Sequence, residues 1–222
     1  MPEKSSALIA GATGLVGSLC LEMLLDSEYY EKVITLTRRP IDRRHSRLVQ
    51  SIVDFDNLKD IELPPASDIF CAVGTTIRRA GSQAAFLKVD FEYARILATR
   101  CAGAGTEQFL LVSSVGADAR SANFYLRVKG ELEKAVNALP FQATHIFRPS
   151  FLIGERTEKR AGESIGIPIF KALRLALIGK LRKYRAIPAA TVAAAMIAAA
   201  RRRGSRPHVY HYDEILALAG DP

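Results

Sequence analysis

Two side chains that could exchange a proton stand four residues apart near the middle of the chain. Tyr125 and Lys129 occupy positions i and i+4 of a segment with helical spacing, so a phenol and an ammonium group share one helical face. A tyrosine ordinarily loses its proton near pH 10, and a neighbouring ammonium favours the phenolate form. The pair is therefore typical of a general acid/base that acts on a carbonyl or alcohol oxygen. The alternative is a tyrosine that packs and a lysine that is solvated.

Hydroxyl groups end an apolar run just before this segment. Residues 109–112 are apolar and are followed by Ser113 and Ser114. A hydroxyl at the end of a strand can hold a substrate carbonyl by a hydrogen bond while the tyrosine supplies the proton. The sequence favours Ser114 for this role and leaves Ser113 as the alternative. The predicted catalytic residues are thus Ser114, Tyr125 and Lys129.

A glycine pattern near the amino terminus indicates a phosphate-binding turn. Gly11, Gly14 and Gly17 follow the apolar run of residues 7–10 and lead into an amphipathic period that begins at Leu15. A strand, a glycine turn and a helix in this order direct bare backbone N–H groups and a helix N-terminus at a phosphate. Gly11 would allow the tight turn, Gly14 the approach of a pyrophosphate, and Gly17 close packing of the helix on the sheet. The alternative is a glycine-rich turn without a ligand.

Two arginines stand where a dinucleotide-binding fold uses an acidic residue to select NAD. Arg38 and Arg39 follow the β-branched run of residues 32–37 and precede Pro40. At the end of the second strand, a carboxylate binds the 2′-hydroxyl of NAD, whereas arginine accommodates the 2′-phosphate of NADP. Guanidinium groups bind phosphate through paired, charge-assisted hydrogen bonds. The sequence therefore predicts NADP as the cofactor, with two ordinary surface arginines as the alternative.

The segments that must position these residues alternate between strand and helix patterns. The predicted strands cover residues 7–10, 32–37, 48–55, 67–73, 109–114, 142–147 and 208–212. A long helix is predicted at residues 82–102, and its apolar face includes Phe86, Val89, Tyr93 and Leu97. An alanine-rich helix is predicted at residues 189–200. This alternation predicts an α/β fold, a doubly wound (Rossmann) parallel sheet with helices on both faces and a small C-terminal extension on the substrate side.

Two further strand ends are predicted to contact the cofactor. The small-residue turn Val73, Gly74 and Thr75 follows the fourth predicted strand, and Asp54 lies at the end of the third. A dinucleotide lies in the crevice at the carboxyl ends of parallel strands. We therefore expect the turn to line the path of the cofactor across the sheet and Asp54 to lie beside the adenine.

These motifs form an ordered set that resembles the atypical branch of the short-chain dehydrogenase/reductase superfamily, and within it the Tat-interacting oxidoreductase-like proteins. The segments that carry the resemblance include Gly11-x-x-Gly14-x-x-Gly17, Leu36-Thr37-Arg38-Arg39, Val53-Asp54-Phe55, Gly74-Thr75-Thr76, Val112-Ser113-Ser114, Tyr125-x-x-x-Lys129 and Phe147-Arg148-Pro149. The resemblance implies NADPH binding by Thr13, Gly14, Leu15, Val16, Arg38, Arg39, Val73, Gly74, Tyr125, Lys129, Leu152 and Arg160.

The overall composition indicates an ordinary globular protein. It has 222 residues, of which 49% are hydrophobic and 24% charged, and this length suits one NAD(P)-binding domain. Within it, the cofactor-binding core is expected over about residues 1–150 and the substrate-side elements over about residues 151–222. No apolar run approaches the roughly twenty residues of a membrane-spanning helix, and a secretion signal is not recognisable, so the expected location is the cytoplasm. The three cysteines are set in apolar sequence, which favours buried thiols over a metal site.

The formal net charge of +8 raises the question of an anionic partner. No nucleic-acid-binding module accompanies the arginine clusters, so surface charge and an anionic cofactor explain them better than a specific nucleic acid. Two functions remain: an NADP-dependent oxidoreductase that acts on a small carbonyl or alcohol, and an NADPH-sensing regulatory module that binds a protein partner. An exposed apolar helix face would also favour a homodimer.

Overall fold

The structure is a computed structural model, and it describes residues 5–154 and 177–220. The strands are β1 (Ser5–Ala10), β2 (Tyr30–Thr37), β3 (Leu48–Ile52), β4 (Asp68–Cys71), β5 (Gln108–Val112), β6 (Ala143–Phe147), β7 (Leu152–Ile153), β8 (Ile187–Pro188) and β9 (His208–Tyr210). The α-helices are α1 (Leu15–Asp26), α2 (Ile77–Ala80), α3 (Gln83–Leu87), α4 (Ala94–Gly103), α5 (Phe124–Asn137), α6 (Ala189–Arg201) and α7 (Tyr212–Ala219). Short 3-10 helices lie at Phe55–Asn57 and Gly179–Tyr184, and a π-helical turn, Lys88–Tyr93, joins α3 to α4.

Seven strands form one parallel sheet in the order β3-β2-β1-β4-β5-β6-β9. The remaining strands, β7 and β8, form a separate parallel pair. The strand order reverses between β1 and β4, and in open α/β sheets the crevice at such a reversal binds the ligand. The predicted doubly wound parallel sheet is confirmed. The division of the chain near residue 150 into a cofactor-binding core and substrate-side elements stays a prediction.

Helices cover both faces of the sheet. Ala7 and Ile9 of β1 belong to the core beneath α1, α6 and α7, whereas Leu8 and Ala10 belong to the core beneath α4 and α5. Successive side chains of a strand point to opposite faces, so a strand that is covered on both sides must be apolar throughout. This explains why the sequence shows continuous apolar runs rather than alternation.

The long helix predicted at residues 82–102 contains an irregularity. It consists of α3, the π-helical turn and α4, and its buried residues include Phe86, Asp90 and Ala94, whereas Val89 and Tyr93 are only partly buried. A π-helical turn contains an additional residue, which changes the face that following side chains occupy. The predicted face therefore missed the buried Asp90 and was wrong at Val89, whereas Tyr93 does pack against the core beneath α4 and α5.

Buried polar side chains cross the sheet on the face covered by α6. The Asp68 carboxylate accepts hydrogen bonds from the Tyr30 hydroxyl at 2.8 Å and from Gln108 Nε2 at 2.9 Å. Gln108 Oε1 lies 3.1 Å from His145 Nε2, and His145 Nδ1 lies 3.0 Å from the Tyr210 hydroxyl. Gln108 also donates to a backbone oxygen of α6 at 3.0 Å. The network thus joins five strands and a helix through satisfied polar groups.

Arg203 closes this network where the chain leaves α6. Its guanidinium lies 3.1 Å from Asp68 Oδ1 and 2.7 Å from Glu107 Oε2, and it donates to the Tyr29 hydroxyl at 2.7 Å and to the Ser5 hydroxyl. Arg203 has a φ of +46°, in the left-handed region that non-glycine residues rarely adopt. Burial raises the pKa of the Asp68 carboxyl, although Tyr30, Arg203 and Gln108 act against this rise. The arginine therefore supplies the positive charge beside a carboxylate with no exposed surface.

The buried imidazole of His145 predicts that stability falls in acid. Burial lowers its pKa from 6.5 to about 4, so the unfolded chain takes up this proton at a higher pH than the folded chain. Between about pH 6.5 and pH 4, the free energy of unfolding is expected to decrease by about 3 kcal/mol through this group. The measurement is urea unfolding at several pH values in this window for the parent and for His145→Gln.

The difference in unfolding free energy between the two proteins isolates the imidazole. Asp68 contributes in the opposite direction, since its raised pKa makes stability fall as the pH rises, but this contribution is common to both proteins. The advantage of the parent over His145→Gln should therefore shrink as the pH falls. A difference that is independent of pH would contradict this assignment.

Candidate functional site

The glycine turn between β1 and α1 is too tight for side chains at two positions. Gly11 has a φ of +88°, and a Cβ there would lie 2.5 Å from the backbone of Ala72. A Cβ on Gly17 would lie 2.0 Å from the Gly11 carbonyl oxygen. The Gly14 amide donates to the same oxygen at 2.9 Å. Gly11 thus has its predicted role, whereas Gly17 is required by the turn itself rather than by packing of α1 on the sheet.

The N-terminus of α1 is open toward the crevice. Among the residues that the structure describes, no side chain caps the helix at Gly14, and the first turn of the helix contains no acidic residue. Thr13 and Gly14 are exposed, but the side chain of Val16 is buried in the core, so only the backbone of Val16 remains for a ligand. Uncapped N–H groups and the helix dipole favour an anion here.

The segment after β7 lies against this turn. A Cβ on Gly154 would come within 2.8 Å of Leu15 Cδ1, so the backbone that follows Leu152 touches the start of α1. Leu152 is partly buried against the core beneath α1. Arg160, the other residue predicted beyond β6, lies outside the described residues.

The predicted adenosine contacts take different forms at the ends of β2 and β3. Arg38 and Arg39 directly follow β2 and are exposed, and the charge of Arg38 acts on the Asp56 carboxylate. The Asp54 carboxylate accepts hydrogen bonds from the Asp56 amide at 3.0 Å and from Asn57 Nδ2 at 2.8 Å. Asp54 therefore caps the short helix after β3, which also explains why this strand ends earlier than predicted.

The two predicted proton-transfer residues lie on the first turns of α5. Asn123 caps this helix by accepting a hydrogen bond from the Leu126 amide at 3.1 Å. The Tyr125 ring packs against Phe86 with ring centroids 5.6 Å apart. Lys129 is buried, and its Nζ lies 2.7 Å from Asp90 Oδ1.

The electrostatic surroundings of Lys129 keep it charged. Burial by itself lowers the pKa of Lys129, but the Asp90 carboxylate and the Tyr125 hydroxyl act in the opposite direction, and the pKa lies above its usual value. The other oxygen of Asp90 accepts a hydrogen bond from the Thr75 amide at 2.7 Å. The turn of Val73, Gly74 and Thr75 is thereby connected to α5 through one carboxylate.

The two candidate serines have different partners. The Ser113 hydroxyl is buried and donates to the Glu133 carboxylate, which also accepts a hydrogen bond from Arg148 Nε at 3.0 Å. The hydroxyl of Ser114 makes a long contact of 3.4 Å with the Val115 carbonyl oxygen. Ser113 is therefore engaged within the protein, whereas Ser114 retains a hydroxyl that can bind a ligand.

The sequence reasoning missed Asp90 as a member of the site. Its spacing did hold a signal, because Asp90 lies four residues after Phe86 and four before Ala94, both of which are buried. An acidic residue in register with an apolar face requires a buried cationic partner.

In the described part of the chain, no cluster of side chains could hold a metal ion, and no helix is long and apolar enough to span a bilayer.

Comparison with known sequences gives a consistent family. A profile of the NAD dependent epimerase/dehydratase family matches residues 7–213. The rat protein HTATIP2 is 35% identical over 202 residues, which cover 88% of this chain and 81% of that protein. The mitochondrial protein FMP52 of Debaryomyces hansenii is 38% identical over 188 residues, which cover 82% of this chain and 81% of that protein.

These relatives correct the predicted location. The proteins from Debaryomyces hansenii and Scheffersomyces stipitis are both named as mitochondrial. The prediction of a cytoplasmic location is therefore contradicted by the names of these relatives.

Solved structures show the same fold with a bound dinucleotide. Human SDR39U1 with NADPH has a TM-score of 0.62 at 18% identity, covering 93% of this chain and 74% of that protein. MoeE5 in complex with UDP-glucose and NAD has a TM-score of 0.67 at 18% identity, covering 97% of this chain and 81% of that protein. The sequence match covers nearly the whole length of this chain. The fold, the open α1 N-terminus and the Tyr125 and Lys129 pair agree with that match. The chain belongs to the NAD dependent epimerase/dehydratase family, in the atypical branch of the short-chain dehydrogenases/reductases, and is a relative of HTATIP2.

Proposed function

We propose that this protein is an NADP-dependent oxidoreductase that reduces a small carbonyl compound or oxidises the corresponding alcohol. The observation that carries the proposal is the position of Tyr125 and a charged, buried Lys129 on one face of α5, connected through Asp90 to the turn after β4. That turn and the glycine turn lie at adjacent strand ends, on either side of the crevice. A phenol beside an ammonium at this crevice supports proton exchange.

The residues around the crevice fit a dinucleotide. The α1 N-terminus has uncapped N–H groups for a pyrophosphate, and the glycine turn leaves the approach free of side chains. Thr13, Gly14 and Leu15 would hold the phosphates, and Arg38 and Arg39 the 2′-phosphate. When bound, the cofactor supplies or accepts the hydride at the substrate carbon.

The side chains then divide the remaining chemistry. Ser114 would hold the substrate oxygen by a hydrogen bond, and Tyr125 would give its proton to that oxygen as the carbonyl becomes an alcohol. In the reverse direction, Tyr125 would accept the same proton. Lys129 would stabilise the phenolate that remains and would hydrogen-bond the nicotinamide ribose.

The cofactor assignment predicts a selective loss when the arginines are removed. Replacing both Arg38 and Arg39 by serine is expected to weaken NADPH binding by at least about a hundredfold, since two charge-assisted hydrogen bonds contribute roughly 1.5–3 kcal/mol each. NADH affinity should change less than about threefold, because NADH has no 2′-phosphate. Fluorescence titration with both nucleotides measures the effect.

The matched control is Arg44→Ser, which removes an exposed arginine from the following loop. Its effect on NADPH affinity should be small, because general attraction by surface charge is screened by salt. Equal losses for NADPH and NADH in the double variant would contradict the assignment.

A second candidate function is an NADPH-dependent regulatory module with little catalysis. One observation favours it: Asp90 already pairs with Lys129, so part of the ammonium's effect on the phenol is offset. Steady-state NADPH oxidation with a panel of small carbonyl compounds separates the two functions. Turnover supports the enzyme, whereas NADPH binding without turnover, together with a protein partner whose binding changes with added NADPH, supports the module.

A further inference from the structure

Asp90 lies between the two halves of the candidate site. Its side chain is 1% exposed and that of Lys129 is 5% exposed. One carboxylate oxygen lies 2.7 Å from Lys129 Nζ, and the other accepts the Thr75 amide at 2.7 Å. A single buried group thus binds the helix that carries the lysine and the turn that is expected to carry the cofactor.

The π-helical turn explains how Asp90 reaches this place. Phe86 in α3 touches Tyr125, and Asp90, four residues later, pairs with Lys129, four residues after Tyr125. Two neighbouring helices of regular pitch need not make both of these contacts. The additional residue of a π-helical turn adjusts the position of Asp90 relative to Lys129. Such turns occur frequently at functional sites. The segment therefore contacts both proposed proton-transfer residues at once.

We propose that Asp90 is a positioning residue that fixes the Lys129 ammonium in its charged form and couples it to the cofactor-side turn at Thr75. The inference deepens the proposed function and rests on it for the role of Lys129. A buried ammonium without a counter-charge loses its proton readily, because desolvation penalises the charged form. The backbone of Gly74 covers the pair closely, since a Cβ there would lie 3.3 Å from Asp90 Oδ1 and 3.8 Å from Lys129 Nζ.

The other titratable groups that face Lys129 do not replace Asp90. Within residues 5–154 and 177–220, they are the Tyr125 hydroxyl on the same helix and the Cys71 thiol at the end of β4. Burial raises the pKa of Cys71 to about 11, so this thiol is uncharged at neutral pH. Asp90 is therefore the group whose negative charge faces the lysine from the packed elements.

The first test replaces Asp90 by asparagine, which keeps an oxygen for the Thr75 amide but removes the charge. NADPH dissociation constants are measured from pH 6.5 to pH 9 for the parent and Asp90→Asn. As the pH rises through this range, the NADPH affinity of the variant should fall about tenfold more than that of the parent. The reason is that Lys129 without its partner loses its charge within this pH range. Identical pH dependence in both proteins overturns the proposal.

The second test uses rescue of stability, so it does not depend on the cofactor. Lys129→Met leaves the Asp90 carboxylate buried without its partner, and its melting temperature is expected to fall by about 6–12 °C. Adding Asp90→Asn to Lys129→Met should recover more than half of this loss. A double variant no more stable than Lys129→Met overturns the proposal, and this comparison also decides the case in which Asp90→Asn alone does not fold.

The control is the exposed ion pair of Arg182 and Asp213. Its atoms are also 2.7 Å apart, but its side chains are 46% and 55% exposed. Asp213→Asn should change neither the pH dependence of NADPH binding nor the melting temperature by more than about 2 °C. If the parent shows no turnover with any carbonyl while NADPH binding still follows Asp90, the proposed oxidoreductase fails and the positioning role stands.

Discussion

Replacing Tyr125 by phenylalanine is expected to lower NADPH-dependent carbonyl reduction by at least about a hundredfold, while the dissociation constant of NADPH changes less than about threefold. General acid catalysis by a positioned side chain contributes roughly 10²- to 10⁴-fold, and this substitution removes the hydroxyl alone. The phenylalanine ring can keep the packing of Tyr125 against Phe86, so the helix and Lys129 should stay in place. Steady-state kinetics and nucleotide titration on the same preparation measure both effects.

Tyr212→Phe is the matched control, because it removes the same hydroxyl from α7, outside the proposed site. Its turnover should equal that of the parent. Retention of most of the activity in Tyr125→Phe would exclude this phenol as the proton donor. A large loss of NADPH affinity in that variant would assign Tyr125 to cofactor binding instead.

Replacing Arg203 by methionine is expected to lower the free energy of unfolding by about 3 kcal/mol. The substitution keeps a long apolar side chain but leaves the fully buried Asp68 carboxylate without the positive charge 3.1 Å away. It also removes hydrogen bonds to Tyr29, which precedes β2, and to Ser5 at the start of β1. Urea unfolding at pH 7, followed by circular dichroism, measures the change.

A second substitution separates the buried charge from packing. Adding Asp68→Asn to Arg203→Met should restore part of the stability, since the amide carries no charge and its oxygen still accepts one of the two hydrogen bonds that Tyr30 and Gln108 donate to Asp68. Arg182→Met, which breaks the exposed pair with Asp213, should cost less than about 1 kcal/mol. Equal effects of the two arginine substitutions would show that burial of Asp68 does not matter.

The predictions for the cofactor half of the site rest on local sequence. The glycine turn, the arginines after β2 and the Tyr125 and Lys129 spacing each lie within one short segment, and their geometry follows from a strand end or one helical turn. Gly11 illustrates this, since its positive φ is a property of the turn that the sequence already indicated. Roles that depend on neighbouring segments were less predictable, as Gly17 and Asp54 show.

The sequence by itself determined the α/β fold, because runs of apolar residues covered on both faces alternate with helical patterns and leave few other arrangements. It also determined which segments end at the crevice. Only the tertiary structure decided which groups meet there: that Ser113 turns to Glu133 while Ser114 does not, and that Asp90 pairs with Lys129. The physical reason is that such pairs join residues far apart in the chain: the spacing of Asp90 places it among buried positions, but only the folded chain brings Lys129 beside it.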